Sequence, residues 1–128
     1  MDSEWQIRKQ AAETLGRIGP AGKDAVPALT RALKDKEEIV RPAVAEALWN
    51  VTRKTEPAIP ALTELLRSDD PTARRLAAES LARIGPDAKG AVPALLAAMK
   101  ESDDYVRAAI TSALMKIDPE AARSAGVR

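Results

Sequence analysis

Three glutamates recur at a fixed interval, and they are the carboxylates whose pattern could do chemistry. Glu13, Glu46 and Glu79 lie 33 residues apart, and close pairs of carboxylates act as general acids and bases or bind metal ions. The spacing predicts that each lies on a separate helix, about 10 Å from the next. Because that distance is too great for sharing a metal ion, we interpret them as a solvated face with i, i+4 pairs such as Glu13–Arg17 and Glu79–Arg83.

Two missing residue types exclude most other catalytic sites. The 128 residues include no Cys and no His, the usual nucleophile, general base and metal ligands. The 20 basic and 19 acidic residues leave a net charge of +1, which does not attract nucleic acid or an anionic membrane. No apolar run approaches the roughly 20 residues of a membrane span. We therefore expect no enzyme activity, no metal and no cofactor, and the cytoplasm as the location.

The elements that must position these residues repeat every 33 residues. The repeat is carried by columns of one residue type each: Arg8, Arg41, Arg74 and Arg107; Leu15, Leu48, Leu81 and Leu114; and Pro27, Pro60 and Pro93. Within each period, two stretches place apolar residues at helical spacing, and the first carries its Pro in the first turn. The sequence therefore predicts an all-α solenoid of about four stacked helix pairs.

The predicted helices fall into two classes, which we call A, with the proline, and B, which follows it. A helices are expected at 24–35, 57–68 and 90–101, and B helices at 4–18, 38–52, 70–84 and 103–117. Together they predict one domain over 1–128, with repeats at about 24–52, 57–85 and 90–117 and a tail at 118–128. Pro42 lies near the fifth position of the second B helix, so that helix either starts a turn late or has a distorted first turn.

The repeat unit also resembles a known family. The unit R-x-x-A-A-E-x-L-x-R-I-G-P-x-x-K-x-A-V-P-A-L spans Arg8 to Leu29 and recurs from Arg74 to Leu95. It is similar to the HEAT-like repeats of the phycobilisome-lyase type, and this resemblance implies a HEAT-like, armadillo-like superhelix with a concave groove lined by B helices. Among related proteins, deoxyhypusine hydroxylase holds its di-iron centre with His-Glu pairs, so the lack of His excludes that activity here.

The resemblance leaves several functions open. We expect a non-catalytic scaffold that binds a protein partner in the groove. An accessory subunit of a bilin lyase is one alternative, and nucleic-acid binding, which the balanced charge disfavours, is another. A designed or library-derived repeat protein is a further alternative, although the variation among Gly16, Trp49, Ala82 and Met115 at one column is more typical of natural drift.

Helical phase identifies the side chains that line the groove. If the Leu column lies at the centre of the buried face of each B helix, the following residues lie on the opposite face or at its flank: Lys9, Glu13, Arg17, Ile39, Glu46, Trp49, Asn50, Arg75, Leu76, Glu79, Arg83, Tyr105 and Lys116. Trp49 lies at the flank. Its side chain either fills space beside Gly16 or Ala82, or it anchors a partner, since Trp is frequent at binding hot spots.

A second set of charges has a structural interpretation. Each Arg of the column follows an acid by four residues: Glu4–Arg8, Glu37–Arg41, Asp70–Arg74 and Asp103–Arg107. The acids are expected at helix N-termini, where negative charge is favoured. The arginines are expected to point into the stack and to bridge acids of neighbouring repeats, forming a ladder that fixes the register.

The two ends of the stack predict self-association. The first B helix carries Trp5, Ile7, Leu15 and Ile18 without a preceding A helix, and the last has no following repeat. We expect these apolar faces to find a partner, through either a two-fold dimer or head-to-tail stacking. In the alternative, the tail folds back over the last B helix and leaves only the first one bare.

Overall fold

The computed structural model describes residues 4–127, and these residues form eight α-helices and two 3₁₀ segments. In chain order the helices are α1 (Trp5–Ile18), α2 (Val26–Ala32), α3 (Arg41–Thr52), α4 (Ala58–Leu65), α5 (Pro71–Ile84), α6 (Val92–Glu101), α7 (Asp104–Ile117) and α8 (Pro119–Ser124). The 3₁₀ segments, Gly19–Ala25 and Gly85–Ala91, precede α2 and α6. The helices α1, α3, α5 and α7 are the predicted B helices, and α2, α4 and α6 are the A helices.

The helices stack in sequence order. The B helices pack side by side from α1 to α7, and α2, α4 and α6 each pack on the B helix of their own repeat. The Leu column forms the centre of the core, where Leu48, Leu81 and Leu114 have at most 1% of their surface exposed. Burial of a leucine side chain contributes about 1.5–3 kcal/mol. The predicted all-α solenoid is confirmed.

Helix ends follow the local chemistry of the sequence. Gly19 and Gly85 end α1 and α5 at φ of 71° and 83°, a left-handed region that a side chain disfavours. The A helices are shorter than predicted, because α2 and α4 each close with a 3₁₀ turn, in which Asp35 N–H donates to Ala32 O and Ser68 N–H to Leu65 O, both at 3.0 Å.

Pro42 shifts the start of α3. The helix begins at Arg41 and not at residue 38, so Pro42 lies in its first turn. There its missing N–H would have had no partner within the helix. The preceding residues form a separate turn in which Val40 N–H donates to Glu37 O at 3.0 Å. Of the two alternatives for this helix, the late start is the one observed.

The two ends of the stack are covered differently. On α7, Val106 and Ile110 are fully buried and Ile117 is 3% exposed, and α5, α6 and α8 all pack against this helix. The prediction that α7 lacks neighbours for part of this face was wrong, and the alternative in which the tail covers it is the one observed. On α1, by contrast, Ile7 is 67% exposed and Ile18 51%.

Candidate protein-binding groove

The B helices line one face of the stack, and this face carries two adjoining depressions. The first lies between α1, α3 and α5, and its volume is about 440 Å³. The second lies between α5 and α7, and its volume is about 630 Å³. Glu79 and Arg83 line both depressions, so the two adjoin along α5. We call this surface the groove.

Twelve of the thirteen predicted residues line the groove. The first depression holds Lys9, Glu13, Arg17, Ile39, Glu46, Asn50, Leu76, Glu79 and Arg83. The second adds Arg75, Tyr105 and Lys116. These positions came from helical phase alone, because the B helices are regular enough to keep equivalent residues on one face.

Trp49 is the exception, and of its two predicted alternatives the space-filling side chain is the one observed. Its side chain is only 5% exposed and belongs to the apolar core. The guanidinium carbon of Arg53 lies 5.6 Å from the centroid of its ring, which is within the range of a cation–π contact. Trp49 therefore fills space within the stack and takes no part in the groove.

The floor of the groove requires small side chains. Added to Gly16 of α1, a Cβ atom would lie 3.2 Å from Asn50 Nδ2 and 3.3 Å from the Cα of Ala47 on α3. Gly16 therefore allows α1 and α3 to approach more closely than a larger residue would. Ala12, Ala43 and Ala47 continue this small-residue lining, which leaves the first depression open.

Ion pairs in the groove differ from the predicted ones. Glu13 pairs with Lys9 at 3.0 Å, and Glu79 with Arg75 at 2.8 Å. Arg83 reaches from α5 to Glu46 on α3, with three donor–acceptor distances of 2.9–3.0 Å. The predicted pairs Glu13–Arg17 and Glu79–Arg83 were therefore wrong. Glu13 and Glu79 each pair with the cation four residues before them, and the forked guanidinium of Arg83 satisfies the carboxylate of the neighbouring helix.

Ser80 is a groove residue that the sequence reasoning missed. Its buried hydroxyl donates to Glu46 Oε1 at 2.9 Å and lies 3.4 Å from the carbonyl oxygen of Pro42. The equivalent residues of the other repeats are Thr14, Ala47 and Ala113, so a serine at this position resembled drift at a small-residue column. Its contacts hold the Glu46 carboxylate against the α3–α5 interface.

Arg83 lies among the glutamates of all three helices. The hydrogen bonds that Arg83 donates to Glu46 raise the pKa of Arg83 above its ordinary value, burial lowers it, and the charges of Glu46, Glu79 and Glu13 raise it further. The carboxylates that line the groove are each paired with a cation. Arg75 also lies with its guanidinium carbon 5.2 Å from the centroid of the Tyr105 ring.

Two cations in the groove have no acidic partner. Arg17 donates to Thr14 Oγ1 at 3.3 Å, and within residues 4–127 neither Arg17 nor Lys116 forms an ion pair. The lining therefore carries five cations (Lys9, Arg17, Arg75, Arg83, Lys116) and three carboxylates (Glu13, Glu46, Glu79), and five minus three leaves +2. The excess positive charge is located at the two ends of the groove, on α1 and α7.

Among the described residues, the arginine column does not bridge acids of neighbouring repeats at α3, α5 and α7, and that part of the predicted ladder was wrong. Arg41 Nε donates to Asp35 O at 2.6 Å, and Arg74 donates to Ser68 O at 2.7 Å. Arg107 donates to Ser102 O at 2.5 Å. These carbonyls lie one to three residues after the ends of the A helices, where the backbone has no further helical turn to pair with.

The reason is the direction of side chains on a helix. The Cα–Cβ bond tilts toward the N-terminus, so an arginine in the first turn points back to the end of the A helix. The acids have other partners: Asp70 and Asp103 accept from Thr72 N–H and Val106 N–H, both at 2.9 Å. At Glu37 the backbone N–H donates to Asp35 Oδ1 at 2.9 Å.

On α1 the arginine does pair with an acid, but one from the next repeat. Arg8 donates to both carboxylate oxygens of Asp35, at 2.6 and 3.0 Å. Glu4, the acid four residues before Arg8, directly precedes α1. The hydrogen bond from Arg8 holds the pKa of Asp35 below its ordinary value, against a smaller upward effect of burial. The predicted bridging between repeats is present at this one site.

Comparison with known proteins gives a family. A family model described as HEAT repeats matches residues 1–82 and 59–125, which together span almost the whole chain. No protein in the curated set is similar enough to the chain to count as a match. In the described residues no helix is long and apolar enough to cross a membrane, and no three acidic side chains are grouped to hold a metal ion.

Proposed function

Because the chain belongs to the HEAT-repeat family, whose members generally mediate protein–protein interaction, we propose that it is a non-catalytic interaction module that binds a segment of a partner protein in the groove. The repeat unit from Arg8 to Leu29 supports the further proposal that its repeats are of the phycobilisome-lyase type. Stacked helix pairs provide an extended concave surface, which is how solenoid proteins bind other chains.

The two adjoining depressions carry this proposal. They meet at Glu79 and Arg83 of α5, so together they line the B-helix face from α1 to α7 and offer one extended surface to a bound segment. The lining combines the apolar residues Ile39, Leu76 and Tyr105 with charged ones. Protein interfaces have this composition, with apolar contact area surrounded by polar residues.

The state of the carboxylates supports a non-catalytic function. Glu13, Glu46 and Glu79 are each engaged by a cation at 2.8–3.0 Å, and each lies on a different helix. A general acid–base pair needs two groups within reach of one substrate and free to exchange a proton. The described residues favour neither the bilin-lyase nor the nucleic-acid alternative over partner binding.

A random-peptide library tests the proposal. We expect the protein to select binding peptides, and two substitutions that fill the groove, Leu76→Arg in the first depression and Ala108→Arg in the second, to weaken the binding of most of them at least tenfold. Ala97→Arg on α6 is the matched control, because Ala97 is also exposed but lies outside the groove. Peptides that tolerate both groove substitutions, or an empty selection, would overturn the proposed function.

A further inference from the structure

The placement of unpaired charge in the groove indicates the chemistry of its occupant. We propose that the groove binds an extended peptide segment of about eight residues, with a carboxylate near each end and an apolar side chain between them. This inference rests on the proposed function. Within residues 4–127, Arg17 on α1 and Lys116 on α7 are the groove cations without a carboxylate partner, and they lie at opposite ends of the stack.

The charges between these two ends are already balanced. Lys9, Arg75 and Arg83 each have a carboxylate partner within 3.0 Å, so an acidic residue at the centre would meet the glutamates of those pairs. A basic residue at the centre would have to displace one of the cations. Electrostatic complementarity therefore favours acids at the ends of the partner and uncharged residues in its middle.

The repeat determines how far apart the two acids must be. Arg17, Asn50, Arg83 and Lys116 occupy equivalent positions 33 residues apart, so they form one row across four B helices. Three interhelical distances of about 8–10 Å separate its ends by roughly 24–30 Å. An extended chain advances about 3.3 Å per residue, which gives the length of about eight residues.

The first depression indicates where the apolar residue lies. Ile39 and Leu76 line it together with Pro42 and Ala43, and its volume of about 440 Å³ accommodates a large apolar side chain. It lies between α1, α3 and α5, so the apolar residue is closer to the carboxylate that meets Arg17. A helix would need about 16–20 residues to span the same row at about 1.5 Å per residue, twice the length of the extended segment.

Nucleic acid is a poorer fit to the same charges. Two unpaired cations roughly 24–30 Å apart can neutralise two phosphates, whereas proteins that bind DNA through its backbone make about 6–10 phosphate contacts. The glutamates of the groove would also repel the intervening phosphates. An acidic peptide with an uncharged centre needs only the two contacts that the groove provides.

Fluorescence polarisation with two synthetic peptides of eight residues tests the inference. Both carry Leu at the third position and Ser or Thr at the other inner positions, and they differ in having Glu or Gln at both ends. We expect the Glu peptide to bind at least tenfold more tightly at low salt. We expect Arg17→Gln or Lys116→Gln to reduce this preference several-fold, while the matched controls outside the groove, Arg31→Gln and Lys100→Gln, leave it unchanged.

The outcomes separate this inference from the proposed function. If library-selected peptides bind the groove but show no preference for acidic ends, or if the Glu and Gln peptides bind equally, the inference is wrong and the proposed function stands. If a single-stranded oligonucleotide displaces the Glu peptide at equal concentration, the acidic-peptide assignment is overturned in favour of nucleic acid. If no peptide binds the groove, both proposals fail.

Discussion

The first and last B helices carry equivalent residues in different surroundings. Ile18 on α1 and Ile117 on α7 occupy the same position of the repeat, yet 51% of Ile18 and 3% of Ile117 is exposed. At a second equivalent pair, Ile7 is 67% exposed and Val106 fully buried. The helix α7 is covered by α6 and α8, whereas no A helix of the described residues covers α1.

This difference shows that the repeat determines where helices form, whereas the elements packed against each helix determine which residues are buried. The same apolar column forms a helix at both ends, because helical spacing is a local property. Burial depends on which element packs against the column. At the C-terminal end that element is α8, whose first turn is capped by Asp118, which accepts from Ala121 N–H at 3.1 Å.

The largest expected effect on stability is at Ile117, which we compare with its equivalent, Ile18. Ile117→Ala leaves a cavity in the core at this end of the stack and should lower the free energy of unfolding by about 3 kcal/mol. Ile18→Ala, the matched control, should cost less than about 1 kcal/mol, because half of that side chain is already in water. Urea denaturation of both variants measures the difference, and equal losses would contradict the described burial.

The next largest effect is at Arg8 on α1, whose contribution to stability should depend on pH, unlike that of Arg107 on α7. Arg8→Ala should cost about 1–2 kcal/mol at neutral pH, because a largely buried Asp35 loses its charged partner. The pKa of Asp35 is lowered in the folded protein. The stabilisation by the Arg8–Asp35 pair is therefore complete at pH values above 3.8, the ordinary pKa of an aspartate. It is lost as the pH falls through the lower pKa of Asp35 in the folded protein.

Arg107 provides the control for this pH dependence. It donates to the backbone carbonyls of Met99 and Ser102, which do not titrate, and its pair with Asp104 is exposed. We expect the cost of Arg107→Ala to change much less with pH than the cost of Arg8→Ala. Urea titrations at neutral and acid pH compare the two, and parallel pH profiles would exclude the assigned role of Asp35.

The bare face of α1 leads to a prediction about oligomeric state. We propose that two copies associate through this face in a two-fold dimer, since α8 occupies the end that head-to-tail stacking needs. Ile7→Asp should weaken the association at least tenfold, which corresponds to about 1.4 kcal/mol. Light scattering after size exclusion at high micromolar concentration measures it. A monomer of 13.7 kDa that Ile7→Asp leaves unchanged would be inconsistent with the proposed dimer.

The smallest expected effect is at the cap of α8. Asp118→Ala removes the side-chain acceptor for Ala121 N–H and should cost about 1 kcal/mol, whereas Asp118→Gly, the residue found at this position in the first and third repeats, should cost only about a few tenths. Hydrogen exchange in α7 and α8 reports the loosening. If Asp118→Ala affects exchange in α1 as much as in α7, the stabilisation by α8 is not local to this end.

Side-chain direction accounts for the main errors at the sequence level. Helical phase placed Glu13, Glu46 and Glu79 in the groove, but it could not assign their partners, because long cationic side chains reach several acceptors. Arg83 crosses to Glu46 on another helix, and Arg74 turns back to a helix end. Trp49 was placed at the flank of the groove by the same phase, and the packing of the stack buries it.

The amino-acid sequence by itself determined the helices, their class and the face that each B helix presents. These depend on spacing within one turn or two: the Leu column, the Pro of each A helix, and Gly19 and Gly85 at helix ends. The tertiary structure alone decided which charges in the groove are neutralised, where the arginine column donates, and which end of the stack is covered. Arg83 and Glu46, 37 positions apart, and Arg8 and Asp35, 27 positions apart, come together only after the helices have packed. The turn of Arg74 back to Ser68 and the cover of α7 by α8 likewise depend on how neighbouring helices pack.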